Sequence, residues 1–363
     1  MNRRLFLTAV AVVPGLLSAR QLVRGVSLPE VRQTMLAHFD KLLDRQGPYG
    51  GYRTAVGARP DFYSSCDIAI ARAIMGENFA QSLTAQQRQQ WIGHLNSFAS
   101  GFRRDGSYED TFGHSPLHAN GMVIGALGVL GGRQTYPNRL YDPFRNPADV
   151  PGWLDRIDWA AQWTASHLFW GGMHCYSLSK QCTDDWKNAV FAWLNANLDP
   201  KTGWWRKGVA HTNRHQPLGG SVHILPIYEH HNRPFPYPER VIDSVLALQL
   251  PNARWLESSS VNLMTYLDLD ALYALKYMQT LAPSYRKIDI ERAVNRYADA
   301  VVTYWQTQQS ALFALHPHFI LAAVGTFGLL QHFLPNRFTD TVPWSDIFSD
   351  RQFYRTDLVE VFA

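Results

Sequence analysis

A chain of 363 residues that is 46% hydrophobic and 18% charged, with no low-complexity tract, carries enough apolar side chains for a large core, and this excludes a disordered protein. The formal net charge of +4 is small for that length, part of it belongs to Arg3 and Arg4, and no basic stripe accompanies it, so nucleic acid is not expected as a partner. Twelve Trp, 16 Tyr and 19 Phe are a load that suits thick helices or a groove for flat sugar or isoprenoid faces.

The opening stretch MNRRLFLTAVAVVPGLLSA sets two arginines before an apolar run of about fourteen residues, short for a membrane span and shaped like an export signal. NRRLFLT resembles the twin-arginine signal, whose pathway carries folded proteins. LLSAR lacks a small-x-small cleavage pattern. Residues 1–26 are therefore expected to be an export signal or a retained membrane anchor, with residues 27–363 forming one periplasmic or extracellular domain.

After the leader, apolar residues recur at three- and four-residue spacing, and alternating runs are scarce, which predicts an all-α fold. Polar-faced helices are expected over 29–45, 85–100, 142–157, 184–198, 238–250 and 289–309. More apolar helices are expected over 62–76, 116–131, 158–174, 218–231, 261–279 and 315–334. Thr84, Thr183 and Pro238 are start signals, while Gly131, Gly132 and Asn232 are stops. The alternation suits an (α/α)6 toroid of helical hairpins, with the apolar set between the outer set and a central cavity.

A weak internal repeat supports this arrangement. WIGHLNSFASGF (91–102) and WLNANLDPKTGWW (193–205) each end an outer helix on a glycine followed by an aromatic residue. Each then leads to a Pro-Leu that opens an apolar helix, and LALQLPNARW (246–255) reads as a third copy. These turns resemble the glutamine/glycine/aromatic turn of the terpenoid-cyclase and protein-prenyltransferase superfamily; Gln249 and Trp255 keep the spacing, with Ala253 where the glycine stands. The same toroid occurs among six-hairpin glycosidases and several polysaccharide lyases. The resemblance implies the fold and leaves the reaction open.

In such a ring the starts of the inner helices surround the cavity, so their polar residues are the candidates. DFYSSCD (61–67) offers Tyr63 and Asp67, and GHSPLHAN (113–120) offers His114, His118 and Asn120, with Ser115 as an alternative cap. GGSVH (219–223) offers His223 beside small residues that would let a ligand approach, Tyr228 follows, and HPH (316–318) is a further polar start. YLDLDALYAL carries Asp268 and Asp270, about 200° apart on a helix, so at most one faces the cavity. The other is then a packing partner for an arginine or a backbone donor. The superfamily's acid motif has a further aspartate where this chain has Ala271.

The loop TGWWRKGVAHTNRHQPLGG (202–220) combines Trp204 and Trp205 with Arg206, Arg214 and His215, as an acidic glycan would need. Trp204 is equally explained as a staple of the turn. Asp105, Glu109 and Asp110 are loop carboxylates with a glycosidase or a solvated-turn reading. His211/His215 and His230/His231 do not make metal-ligand spacings, and no clustered Cys/His framework shows, so neither a metal nor another cofactor is expected. Cys66, Cys175 and Cys182 are three and cannot all pair; buried thiols are expected over a Cys175–Cys182 bridge.

Two enzymatic readings and one other follow. The first is an exported enzyme that cleaves an oligosaccharide, possible acidic groups included. As a lyase it would use His118 or His223 as base, Asn120 or Arg214 on the carboxylate and Tyr63 or Tyr228 as acid. As a hydrolase it would pair Asp270 with a loop carboxylate. The second is a terpenoid-cyclase-like enzyme acting on a small molecule, with Asp270 or Asp268 as proton donor. The third is a binding or assembly protein on the same scaffold. The oligomeric state is not written in the sequence.

Overall fold

A computed structural model describes residues 25–99, 105–206, 208–256 and 262–361. The expected leader, 1–26, lies outside them except for Gly25 and Val26, and Gly101 of the first repeat copy lies outside them too. The described chain is mostly helical, with one short parallel strand pair, Val26–Ser27 beside Phe338–Thr339, and isolated bridges such as Leu43–Tyr52 and Leu198–Trp205. Among the described residues no helix is long and apolar enough to cross a membrane.

The expected helices stand close to where periodicity puts them. Polar-faced ones run over Leu28–Leu42, Ala85–Ser97, Asp184–Ala196, Pro238–Leu248 and Lys287–Thr307. Apolar ones run over Phe62–Ile74, Pro116–Leu130, Tyr266–Leu281 and Pro317–Phe333. Local chemistry explains the ends. Thr84 and Gln87 form a reciprocal capping box, Thr183 accepts from the Trp186 N–H, and Ser115 accepts from the His118 N–H. Gly131 closes the 116–130 helix in the left-handed region at φ 73°.

Three expected helices are broken. Residues 218–231 divide into Gln216–Ser221 and Leu225–His230, the second with Pro226 in its first turn. Residues 142–157 divide into 3₁₀ turns and a short helix, Val150–Asp155, as their three prolines and Gly152 dictate. Residues 158–174 break at Ser166–Leu168 and continue as a π-helical turn over Phe169–His174. There the backbone approaches its neighbour so closely that a Cβ on Gly171 would lie 1.6 Å from the Leu117 carbonyl oxygen. Only glycine permits that contact, which brings the start of the 116–130 helix against this segment.

Each apolar segment packs on the next. Phe62–Ile74 touches Pro116–Leu130, which touches the π turn; Gln162–Ala165 touches Gln216–Ser221, which touches Tyr266–Leu281, which touches Pro317–Phe333. That last helix packs back on Phe62–Ile74. The turns of the repeat are pinned by tryptophans: the indole N–H groups of Trp91, Trp205 and Trp255 donate to the carbonyls of Ser65, Leu194 and Val245. Ala253 adopts φ 70°, where the pattern wants glycine. The C-terminal segment 345–360 lies against the 116–130 helix and is tied down by Lys276–Asp346 and by Tyr141, which donates to Glu360. Cys66, Cys175 and Cys182 are free thiols, so the Cys175–Cys182 bridge is not formed.

Candidate functional site

The starts of the apolar helices converge on one cavity of about 300 Å³. Its wall is largely aromatic and aliphatic: Phe112, Trp163, Trp170, Tyr266, Phe319, Phe348 and Tyr354, with Met122, Val222, Leu321 and Ile347. Among the described residues five histidines line it, namely His114, His118, His167, His223 and His318, together with a single carboxyl, Asp270, and no arginine or lysine.

The histidines are held from behind. The Tyr63 hydroxyl lies 2.9 Å from His118 Nδ1, with the two rings stacked at 11°. Asp67 Oδ1 lies 2.9 Å from His318 Nδ1, and Tyr266 donates its hydroxyl to the His318 carbonyl. Ser166 Oγ contacts His223 Nδ1 at 2.8 Å and also the Trp163 carbonyl at 2.9 Å. A carbonyl only accepts, so the single serine proton goes to Trp163, His223 Nδ1 donates to Ser166, and the lone pair of His223 sits on Nε2. That tautomer follows from the network and is fixed by it.

Burial sets the charge states. It lowers His114 to about 4 and His223 and His318 to about 3, and neighbouring imidazoles push the same way at His114 and His223. His118 and His167 are lowered well below the usual range, by burial first and by the surrounding histidines second. Burial likewise raises Asp67, whose pair with His318 is therefore neutral on both sides.

Asp270 is the carboxyl of the described lining. It is buried in the wall, and neither carboxyl oxygen has a hydrogen-bond partner. Burial, reinforced by the negative charge of Asp268, raises its pKa well above the ordinary carboxyl value, which favours the protonated form.

Of the sequence candidates, Tyr63, Asp67, His114, His118, His223, Asp270 and the HPH start, through His318, come together at this site. The others do not. Asn120 is buried, but its amide donates to the Tyr141 hydroxyl and the Gly171 carbonyl and accepts from Gln134 and Asn138; it braces the fold. Tyr228 donates to Asn195 within the core. Trp204 and Trp205 are both core residues, so the turn-staple explanation covers Trp205 as well. Arg206 pairs with Asp155 at 2.6 Å and lies over Trp193. Arg214 is exposed, and His215 is buried in the loop with its N–H on Asn213. Asp110 caps Phe112 and Gly113, and Asp105 accepts from Ser107. The space beside Gly219 and Gly220 is filled by Trp163 and Gln162, so it admits side chains of this chain and no ligand.

His167 was not singled out by sequence, and the expectation of no histidine cluster is corrected by the structure. One ring nitrogen from each of His114, His118 and His167 lies within 4.8 Å of the other two. A signal existed in that four of the five cavity histidines fall near the start of an apolar segment. Comparison with known protein families, curated proteins and solved structures yields no match to this chain.

Proposed function

We propose that the chain is an enzyme of acid–base chemistry that acts on a small, largely apolar, unsaturated substrate of isoprenoid type. In this reading the six apolar segments close as a toroid of hairpins around the cavity. The observation that carries it is Asp270: a protonated carboxyl without internal partners, set in an aromatic wall. Such a group donates a proton to a carbon–carbon double bond. The faces of Trp163, Trp170, Tyr266 and Phe348 then stabilise the carbocation through their quadrupoles. The reaction closes when a proton on a neighbouring carbon passes to the Nε2 lone pair of His223.

The lining gives a glycan less support. A uronate lyase needs a cation for the carboxylate, and among the described residues no arginine or lysine lines the cavity; a glycosidase needs two carboxyls, and the described lining has one. Tyr63 beside His118 is the one pair that fits lyase chemistry. An N-terminal segment that exports or anchors the chain would set the enzyme beside the membrane in which an isoprenoid dissolves.

The test is incubation of the purified chain in heavy water with a panel of isoprenoid hydrocarbons, alcohols and diphosphates, with products read by mass spectrometry. Deuterium on product carbon is expected, and its loss in Asp270→Asn. A parallel panel of polysaccharides is read for reducing ends and unsaturated products. Cleavage there, with no isoprenoid turnover, would replace this reading by the glycan one.

A further inference from the structure

We propose that His114, His118 and His167 form a divalent metal site of the zinc type, with one coordination position open to the cavity. The three imidazole centroids make a near-equilateral triangle with sides of 4.4, 4.4 and 4.6 Å, and the rings are mutually inclined at 62°, 68° and 53°. Stacked rings would share a face; inclined ones leave their edges free to turn toward a common ion. One nitrogen from each already lies within 4.8 Å of the others. Closure by up to about 1.5 Å brings them to the edge of a zinc tetrahedron, about 3.3–3.4 Å for Zn–N bonds of about 2.0–2.1 Å.

The surroundings fit the same assignment. A ligating histidine is oriented through its other nitrogen, and Tyr63 occupies His118 Nδ1 at 2.9 Å. His167 Nδ1 is buried and has no hydrogen-bond partner, which marks an incomplete site. His318 Nε2, 3.3 Å from His114 Nε2 and backed by Asp67, steadies the third ligand. Three rings that each turn a lone pair inward would meet in an apolar wall, an arrangement that a cation, an ordered water or a ring N–H relieves. The ion would take an oxygen-bearing end of the substrate in its open position, as a hydroxyl, carboxylate or phosphate does.

The site extends beyond the acid chemistry assigned to Asp270, and its test uses no substrate, so the two succeed or fail separately. The full chain is stripped with a chelator and titrated with Zn²⁺ and, for its visible spectrum, Co²⁺. One ion per chain is expected, with cobalt bands of a four- or five-coordinate nitrogen site and a thermal midpoint that rises with zinc. His114→Ala, His118→Ala and His167→Ala should each lose at least about 100-fold in affinity, and Tyr63→Phe about tenfold. His211→Ala, outside the cavity, should bind as the unaltered chain does. Circular dichroism of each variant separates lost binding from lost folding. A folded chain that takes up well under one ion, or binds it equally in folded His167→Ala, overturns the proposal and leaves water as the occupant.

Discussion

Asp268 and Asp270 stand two residues apart on the Tyr266–Leu281 helix, both buried, and face opposite regions of the protein. Asp268 faces the outer hairpin. It accepts from the Trp255 N–H at 2.8 Å and the Thr265 hydroxyl at 2.6 Å, and Arg254 lies 3.8 Å away. Burial raises its pKa, but those donors pull it back. Asp270 faces the cavity and has none of them. Residue type and burial are thus the same, and only the donor count separates a carboxyl that holds the fold from one left for chemistry.

The comparison can be broken most directly at Asp270. Asp270→Asn should cut turnover by about 10²–10⁴-fold, the usual contribution of a positioned acid, while stability changes by less than about 1 kcal/mol because a neutral group replaces a neutral one. Kinetics and urea unfolding on the same sample check both halves. Asp268→Ala should do the reverse. It strips three donors of their acceptor at once and should lower the unfolding free energy by about 3–5 kcal/mol. Equal stability losses at the two positions would remove the distinction.

Glu360 sharpens the contrast, being a buried carboxyl bonded only by the neutral groups Tyr141 and Asn138. Burial raises it from the ordinary 4.5 to about 7. The folded state therefore holds this proton more tightly than the unfolded chain. Its contribution is complete below about pH 4.5 and is lost as pH rises through about 7, a fall of about 3 kcal/mol. Glu360→Gln should flatten that part of the stability–pH curve. The smallest effect is expected at the turn that presents the Trp255 N–H to Asp268. Ala253→Gly there should raise stability by up to about 1 kcal/mol, by relieving a left-handed alanine, measurable as a small rise in thermal midpoint.

Much of the fold was legible in the chain. Periodicity placed the long helices to within a few residues, and Ser115, Thr84 and Thr183 cap where their side chains require. The broken segment over 162–177 was not legible, since Gly171 reads as a weak point and only the approach of Leu117 makes it necessary. Within the site, helical geometry alone required that Asp268 and Asp270 diverge. It did not say which one turns inward, because that depends on whether Arg254 and Trp255 come to the outer side.

The sequence by itself determined an all-helical chain, the ends of most helices, and a set of polar residues at the starts of its apolar segments, because capping and amphipathic periodicity act over a few neighbouring residues. Only the tertiary structure decided that His114, His118 and His167 meet, that Asn120, Trp205 and Tyr228 serve the core, and that Asp270 is left without a partner. Those outcomes depend on contacts between residues tens to hundreds of positions apart, and on which of them reach a donor before the cavity closes over them.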